Sequence, residues 1–546
     1  MKKYDAIYIN GKIFTSCPER PAAQSMAVRE GRIVWLGTDE EAAARQAAAE
    51  RIIDLERRRV LPGFVDCHMH ALMLADCCRQ ISALPPLVSS IGDLIAEIQK
   101  VRKKQGPSQW IQGWGYDEGK LAEHRAPDRH DLDRGCSDAP VIIRRTCAHV
   151  CAVNSKALEL AGIDAATPDP TGGRIGRFAD GTPNGILYEN ARDLLSEVLP
   201  AKTDEDRAMD LLALDEILVS QGITAASDMG EFTEADYDSI FGLALQKGLR
   251  VRMTCYYMWD SVKDKKDFTI RREEMDPARP YRLAGIKLIG DGSVSGRTAW
   301  CDRPYLGGDS EYGLPVASEE DFETAIAFCR RCGCQLSIHA MGARAIDRAL
   351  LHTAGQKPWL SDILPPGTPP VRIEHVAMPG LDAAGIPASV RAKEAGIAFV
   401  TQPVFLYAEV ESYLANLGLA RTQECYPLAD WLADGVRFAF STDAPATAWA
   451  APSDPFVCLK GAVSRKAWDG TDVGRRHRVD IQTALRLYTA EAAAMLGLDD
   501  CGQLREGWRA DFIVLDRDIL AVSPDDIDKV KVSETYIGGV LVYKRG

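Results

Sequence analysis

The sequence predicts an α/β protein: a (β/α)₈ TIM barrel with an inserted subdomain, joined to a small β-sandwich built from both chain ends. Three observations carry this reading. Short alternating strand patterns fill both ends of the chain, strands alternate with helices between about residues 204 and 443, and chemically distinctive side chains recur where those strands finish.

Residues 4 to about 57 read as strands and turns. Ala6-Ile-Tyr-Ile-Asn-Gly-Lys-Ile-Phe14 has a hairpin pattern with an Asn10-Gly11 turn, and Ser25 to Gly37 reads as a second hairpin turning at Glu30-Gly31. The far end of the chain has the same character. There Ala510 to Asp516 and Glu534 to Tyr543 read as strands, the latter with a Gly538-Gly539 turn. Neither piece has enough apolar surface to stand alone, so 1–57 and 501–546 are expected to form one sandwich around a 58–500 barrel.

The barrel opens with Leu61-Pro-Gly-Phe-Val-Asp-Cys-His-Met-His70. Pro62 and Gly63 punctuate, and an apolar strand follows. Alternation along a strand would put Asp66, His68 and His70 on one face. Further strands are expected at Ile223 to Asp228, Arg250 to Tyr257, Arg282 to Ile289, Gln335 to His339, Val371 to His375, Ile397 to Thr401 and Val436 to Asp443. Helices separate them, including Asp204 to Gln221, one with a Ser318/Asp321 start signal, and Leu428 to Asp434. Eight strands in this order suit a closed barrel, whose active site lies at the C-terminal strand ends.

Residues from about 76 to 200 are far too long for one connection. They hold Trp110, Trp114 and Tyr116 and a Pro/Gly-rich tract from Thr167 to Gly185. The expectation is a subdomain over the barrel mouth.

Composition narrows the partners. Hydrophobic content of 46% and charged content of 26% are ordinary for a globular chain of 546 residues. A net charge of -13 argues against nucleic acid and anionic membranes. Fifteen cysteines without a small-domain framework point to reduced thiols and a cytoplasmic setting. Cys329 and Cys332 match C-x-x-C, but no second pair stands at zinc-site spacing, which favours a structural reading. The N-terminal residues run straight into a strand pattern, with no signal-peptide core and no window of membrane-spanning length.

The distinctive side chains are His68 and His70 after the first strand, Lys287 on the fourth, His339 on the fifth, His375 on the sixth and Asp443 on the eighth. Singly, each has a bland explanation. A strand histidine is commonly a bonded core residue, a strand lysine snorkels, and Asp443 before Ala-Pro would cap a helix. Together they place four of the nine histidines, a lysine and an aspartate at the ends of five strands of one barrel. Independent bland roles do not predict that concentration.

This order resembles the metal-dependent amidohydrolase superfamily. The stretches from Leu61, Lys287 (KLIGDGSVSGRTA), His339 (HAMGARAID), Arg372 (RIEHV), Ser441 (STDAP), Cys147 and Gly502 are similar to amidohydrolase family 3, the YtcJ-like group that includes N-substituted formamide deformylases. One departure stands out: Ala343 replaces an aspartate usual in that family. The resemblance implies two divalent ions, Zn²⁺ first with Mn²⁺, Fe²⁺ or Co²⁺ as alternatives. His68, His70 and Asp443 would hold one, His339 and His375 the other, with a CO₂-carboxylated Lys287 bridging. It also implies hydrolysis of a C–N bond in an amide or N-formyl/N-acyl amine by a metal-bridging hydroxide. Asp443 would shuttle the proton, beside His339. His149, Trp114, Asp291 and Trp300 are candidate contacts for a small-molecule substrate, and the family suggests a homodimer.

Three alternatives stay open: a mononuclear deaminase, a lactone or ester hydrolase using the same site, and a silent binding protein on this fold. Deaminases of the superfamily carry a glutamate three residues after the fifth-strand histidine, where this chain has Gly342.

Overall fold

A computed structural model describes residues 3–106, 109–146, 150–230, 237–308 and 310–546. Its centre is an eight-stranded parallel sheet whose strands neighbour one another in sequence order. They span Phe64–Asp66, Ile223–Asp228, Arg252–Met258, Tyr281–Ile289, Gln335–Ala340, Val371–His375, Ala398–Thr401 and Phe438–Phe440. All eight expected strands are present, the first and last shorter than anticipated.

The helices between them start where the sequence signals. Ser318 caps Glu319–Cys332 in a capping box with Asp321, and Thr203 caps Asp204–Ser220 in the same way with Asp206. On the eighth strand Phe438 faces out onto Trp431, 5.3 Å between ring centroids. Its neighbour Ala439 points inward to join Val65, Ala225, Ala284, Ala398 and Val400. Small residues suit the narrow lumen. Its lower end is closed by the helix Ala490–Met495, and the Gln335 amide donates to the Met495 carbonyl at 3.0 Å.

Two irregularities shape the site. Ala284 is an extra residue on the fourth strand, where the pairing steps from Cys255–Leu283 to Tyr256–Gly285. Any Cβ at Gly285 would lie 1.9 Å from the Gln335 carbonyl oxygen, so only glycine lets the fifth strand approach there. The second irregularity is the seam between first and eighth strands. It is closed by the residues just beyond them: the Asp443 N–H donates to the His68 carbonyl at 2.8 Å and the His70 N–H to that of Ala444 at 2.8 Å. Asp66 is drawn into this seam. It accepts from the Thr442 hydroxyl at 2.7 Å and the Tyr488 hydroxyl at 2.6 Å, so it does not share a working face with the histidines.

The chain ends form two sheets. One orders the strands Arg32–Gly37, Ser25–Arg29, Tyr4–Ile9 and Ala49–Asp54; the other orders Val540–Lys544, Val532–Ile537, Phe512–Leu515, Arg59–Pro62, Lys12–Phe14 and Ala22–Ala23. Tyr8 of the first meets Phe512 of the second, centroids 5.0 Å apart. The hairpins turning at Glu30-Gly31 and Gly538-Gly539 form as expected. The Asn10-Gly11 hairpin does not. Tyr4–Ile9 and Lys12–Phe14 enter different sheets, because only Asn10 turns left-handed (φ 56°) while Gly11 keeps negative φ and donates across to Gln24. A two-residue type I′ turn needs both positions left-handed.

The long insert builds its own six-stranded sheet, from Ile81–Ser82 to Pro183–Glu189, with its own apolar clusters. It touches the loops beyond the seventh and eighth strands: Lys120 bonds the Ala408 carbonyl, and Ala450 N–H donates to Pro85 O at 2.9 Å. Among the described residues no helix is long and apolar enough to cross a membrane.

Candidate metal centre

The first barrel strand stops at Asp66, so His68 and His70 stand in the turn beyond it, with His70 leading into the helix Ala71–Cys78. The His68 Nε2 lies 3.2 Å from Lys287 Nζ and 3.2 Å from Asp443 Oδ1. His70 Nε2 is 3.5 Å from the same Asp443 oxygen. The His375 ring sits 4.9 Å from that of His68 and 4.2 Å from that of His339. All six expected ligand residues therefore converge on one buried spot. The tightest group is His68, His375 and Asp443, whose candidate donor atoms lie within 4.8 Å of one another.

Hydrogen bonds decide which nitrogen each imidazole offers. His70 Nδ1 meets the Gly230 carbonyl at 3.0 Å and His375 Nδ1 the Gln402 side-chain oxygen at 2.9 Å, leaving their Nε2 atoms for the centre. His339 is the reverse: its Nε2 faces the Gly292 carbonyl at 3.0 Å, so Nδ1 is the free one. His375 Nε2 and Asp443 Oδ1 are buried without any hydrogen-bond partner. Orphaned polar atoms are costly, and two lone-pair acceptors aimed at one spot fit a cation that both can ligate.

The electrostatics agree. Burial and the nearby Lys287 lower His339 to about 4, and burial likewise holds His375 well below its ordinary value. Neutral imidazoles are the ligand form. Burial pushes Asp443 up, but His68, His70 and Lys287 outweigh it and keep the carboxylate ionised. Burial lowers Lys287 to about 8, so about a tenth of its amine is unprotonated at pH 7, far more than for an exposed lysine.

The sequence reading missed the group behind this cluster. Glu374 is fully buried, and its Oε2 lies 2.6 Å from His68 Nδ1. Its other oxygen accepts from Ser337 Oγ at 2.7 Å and Arg372 Nε at 2.7 Å. An ionised carboxylate only accepts, so Nδ1 carries the proton and Nε2 is presented as a lone pair. The signal lay in Arg372-Ile-Glu-His375: alternate residues share a face, so Arg372 and Glu374 point into the barrel together. By the same alternation His375 belongs on the outer face with Ile373. It reaches the centre because the backbone turns left-handed at His375 (φ 74°) and Val376 (φ 51°). Asp443 is left-handed too (φ 57°). Such conformations cost non-glycine residues on the order of 1 kcal/mol or more and concentrate at working sites.

The expected substrate contacts fare unevenly. Asp291 is fully buried and accepts from the Trp300, Met341 and Gly342 amides at 2.8, 2.9 and 2.8 Å. With one oxygen also 3.5 Å from His339 Nε2, it braces the turn and the imidazole and has no face left for substrate. It also satisfies the Met341 and Gly342 amides, directly ahead of the helix that Ala343 opens. The Trp300 side chain lies against Arg348, 6.0 Å away. Trp110 and Tyr116 pack in the insert's own clusters. Trp114 instead meets Leu84 and Ala448, on the loop that follows Asp443. His149 lies outside the described residues.

A sequence profile of the amidohydrolase family matches residues 51–543. The chain belongs to the amidohydrolase family. Over 99% of its length it is 28% identical to YtcJ of Bacillus subtilis (strain 168), named as a putative amidohydrolase, and 27% identical to an N-substituted formamide deformylase of Arthrobacter pascens. It covers 99% and 98% of those chains. Among solved structures, a metal-dependent hydrolase of Pyrococcus horikoshii OT3 is 26% identical and superposes with a TM-score of 0.73, over 95% of this chain and 99% of the other. In this amidohydrolase the reaction class is metal-dependent hydrolysis.

Proposed function

We propose that the protein hydrolyses the C–N bond of an amide or an N-formyl or N-acyl amine. The observation that carries the reading is the convergence of four imidazoles, Lys287 and Asp443 on one buried point, with His375 Nε2 and Asp443 Oδ1 lacking any hydrogen-bond partner. Full-length similarity to a formamide deformylase supports the bond type.

His68, His70 and Asp443 would hold one divalent ion, most simply Zn²⁺, and His339 and His375 a second. Lys287 suits a bridging role once its amine has added CO₂, which converts an ammonium into a carboxylate. Burial favours the neutral amine that this addition requires, and outweighs the pull of Glu374 and Asp443 toward the ammonium. Bound divalent ions supply an acidified water and a polarised carbonyl.

The remaining work falls to the chain itself. Asp443 has one unpartnered oxygen at the centre and only slight exposure, so it is placed to take a proton and pass it to the departing nitrogen. Glu374 and Gln402 fix the tautomers of His68 and His375, and Trp114 flanks the Asp443 loop as an apolar wall for the substrate. A ring deaminase fits less well. A side chain at Gly342 would begin 2.3 Å from the Trp300 carbonyl, leaving no room for the proton donor such enzymes place there.

The test is a hydrolysis screen with metal-loaded protein over N-formyl amines, N-acyl amines, cyclic amides and lactones, read by amine or acid release. Release of amine from the first two classes supports the reading. Turnover confined to lactones refutes it.

A further inference from the structure

Far from the hydrolytic centre, the helix Glu319–Cys332 ends in Cys329-Arg-Arg-Cys-Gly-Cys334, three thiols within six residues. The chain reverses at left-handed Gly333 (φ 71°), and the amides of Gly333 and Cys334 both donate to the Cys329 carbonyl, at 2.8 and 3.1 Å. This reversal folds Cys334 back over the helix end, beside Cys332 and Cys329, whose thiols weigh most on its own.

The three sulfurs have different surroundings. Cys329 donates to the Gln335 carbonyl at 3.5 Å and is buried, as is Cys334. Cys332 is half-buried and open to solvent beside exposed Thr269, whose hydroxyl lies 3.5 Å from the sulfur. The Ile270 amide and the Cys334 thiol also donate to it, and Arg331 adds positive charge. A sulfur serving only as apolar filling would not collect these donors. Arg331 and Phe268, the chain neighbours of Cys332 and Thr269, line a cavity of about 580 Å³ together with Phe328, Lys263, Glu320 and Asp321. Such walls suit a small zwitterionic molecule.

We propose that Cys332 and Cys334 form a dithiol site that reacts with low-molecular-weight disulfides of the glutathione type and closes an internal disulfide. The Cys332 thiolate attacks one sulfur of the small disulfide, the S–S bond breaks, and one small thiolate leaves. Cys334 then gives up its proton to that thiolate and attacks the Cys332 sulfur, expelling the second small thiol. The protein loses two electrons and two protons, and the small disulfide becomes two thiols. The one residue between them, Gly333 (φ 71°, ψ 27°), turns the chain as tightly as a helix does, which brings the two Cα atoms within the ~4.4–6.8 Å that a disulfide needs. Supporting this order of events, the hydrogen bond from Cys334 leads the influences that lower Cys332 to about 5, and the thiolate is the attacking form.

Cys77 and Cys78 provide an internal control. They are neighbours in sequence and likewise half-buried, but burial pushes them up to about 12 and about 11. The experiment treats the reduced full-length protein with glutathione disulfide, traps free thiols with N-ethylmaleimide and maps the digest by mass spectrometry. A Cys332–Cys334 disulfide forming ahead of any change at Cys77 or Cys78 is the expected result. With Cys334→Ser, a glutathione adduct should persist on Cys332. Recovery of both Cys332 and Cys334 fully alkylated from wild type, with Cys77 or Cys78 oxidised first, overturns the proposal. So does a Cys334→Ser protein that carries no adduct on Cys332.

Discussion

Glu374→Gln is the most informative single change, because the two amide orientations fail in different ways. Its carboxylate serves four donors: Ser337 Oγ and Arg372 Nε on one oxygen, His68 Nδ1 and Arg372 Nη2 on the other. If the glutamine oxygen keeps Ser337 and Arg372 Nε, its NH₂ faces His68 Nδ1. The imidazole must then move its proton to Nε2, the atom that faces Lys287 and Asp443. If the amide is turned round, its NH₂ faces Arg372 Nε and Ser337 Oγ, and in either orientation the neutral amide leaves the buried guanidinium without a counter-charge. Burial pushes Glu374 up, yet Arg372 and His68 outweigh it and hold the carboxylate well below the usual range, so the native charge pair is intact. Losing one partner of such a pair costs ~3–5 kcal/mol. Losing the group that orients a ligand histidine costs roughly 10–100-fold in metal affinity. The two effects separate by assay. Urea unfolding of both proteins in excess chelator reads the stability loss alone, since ligand binding contributes nothing there. Dialysis against graded free zinc followed by elemental analysis reads affinity. A Gln variant that retains metal like wild type and unfolds at the same urea concentration refutes the role assigned to Glu374.

Three further outcomes are expected. Asp443→Asn keeps an oxygen but no base, so turnover should fall by about 10²–10⁴-fold while metal measured on the same sample largely stays; undiminished turnover would make Asp443 structural. Protein purified without chelator should hold two equivalents of divalent ion, and Lys287→Ala fewer, by elemental analysis; unchanged content in Lys287→Ala would exclude a bridging role. In the insert, burial raises Asp131 but Arg125 and Arg134 outweigh it and hold it below its ordinary 3.8. A lowered folded-state value stabilises above the unfolded pKa and is lost as pH falls through the lowered one, so the stability gap between wild type and Asp131→Asn should close below about pH 4. Melting curves at stepped pH check this, and a gap that widens in acid contradicts the sign.

The barrel was legible because its signals are local. Strands of apolar alternation, capped helices such as the one opened by Ser318, and histidines at strand ends can each be read within about ten residues. Other features depend on partners distant in sequence. Whether Asn10-Gly11 turns a hairpin depends on which sheet receives each flank, a choice made by Ser25–Arg29 and Arg59–Pro62. Asp291 reads as a substrate contact by position, but three amides from two loops consume it. Glu374 was hidden beside His375 because the left-handed step that reconciles the two residues has no sequence signature in a histidine followed by a valine.

The strand Arg59–Pro62 sits between the two ends of the chain, pairing with Lys12–Phe14 on one side and Phe512–Leu515 on the other. Its Arg59 bonds Asp518 across 459 residues of sequence. At the pace of synthesis, roughly 5–20 residues per second, that partner arrives on the order of 20–90 s after Arg59 has been made. Throughout that interval the nascent chain carries an unpaired strand edge immediately ahead of Phe64 and the His68–His70 turn. The edge invites pairing with neighbouring chains. Slow or crowded translation should therefore aggregate this protein more than its finished fold suggests, and co-expressed chaperones should raise yield without changing the stability of the purified product.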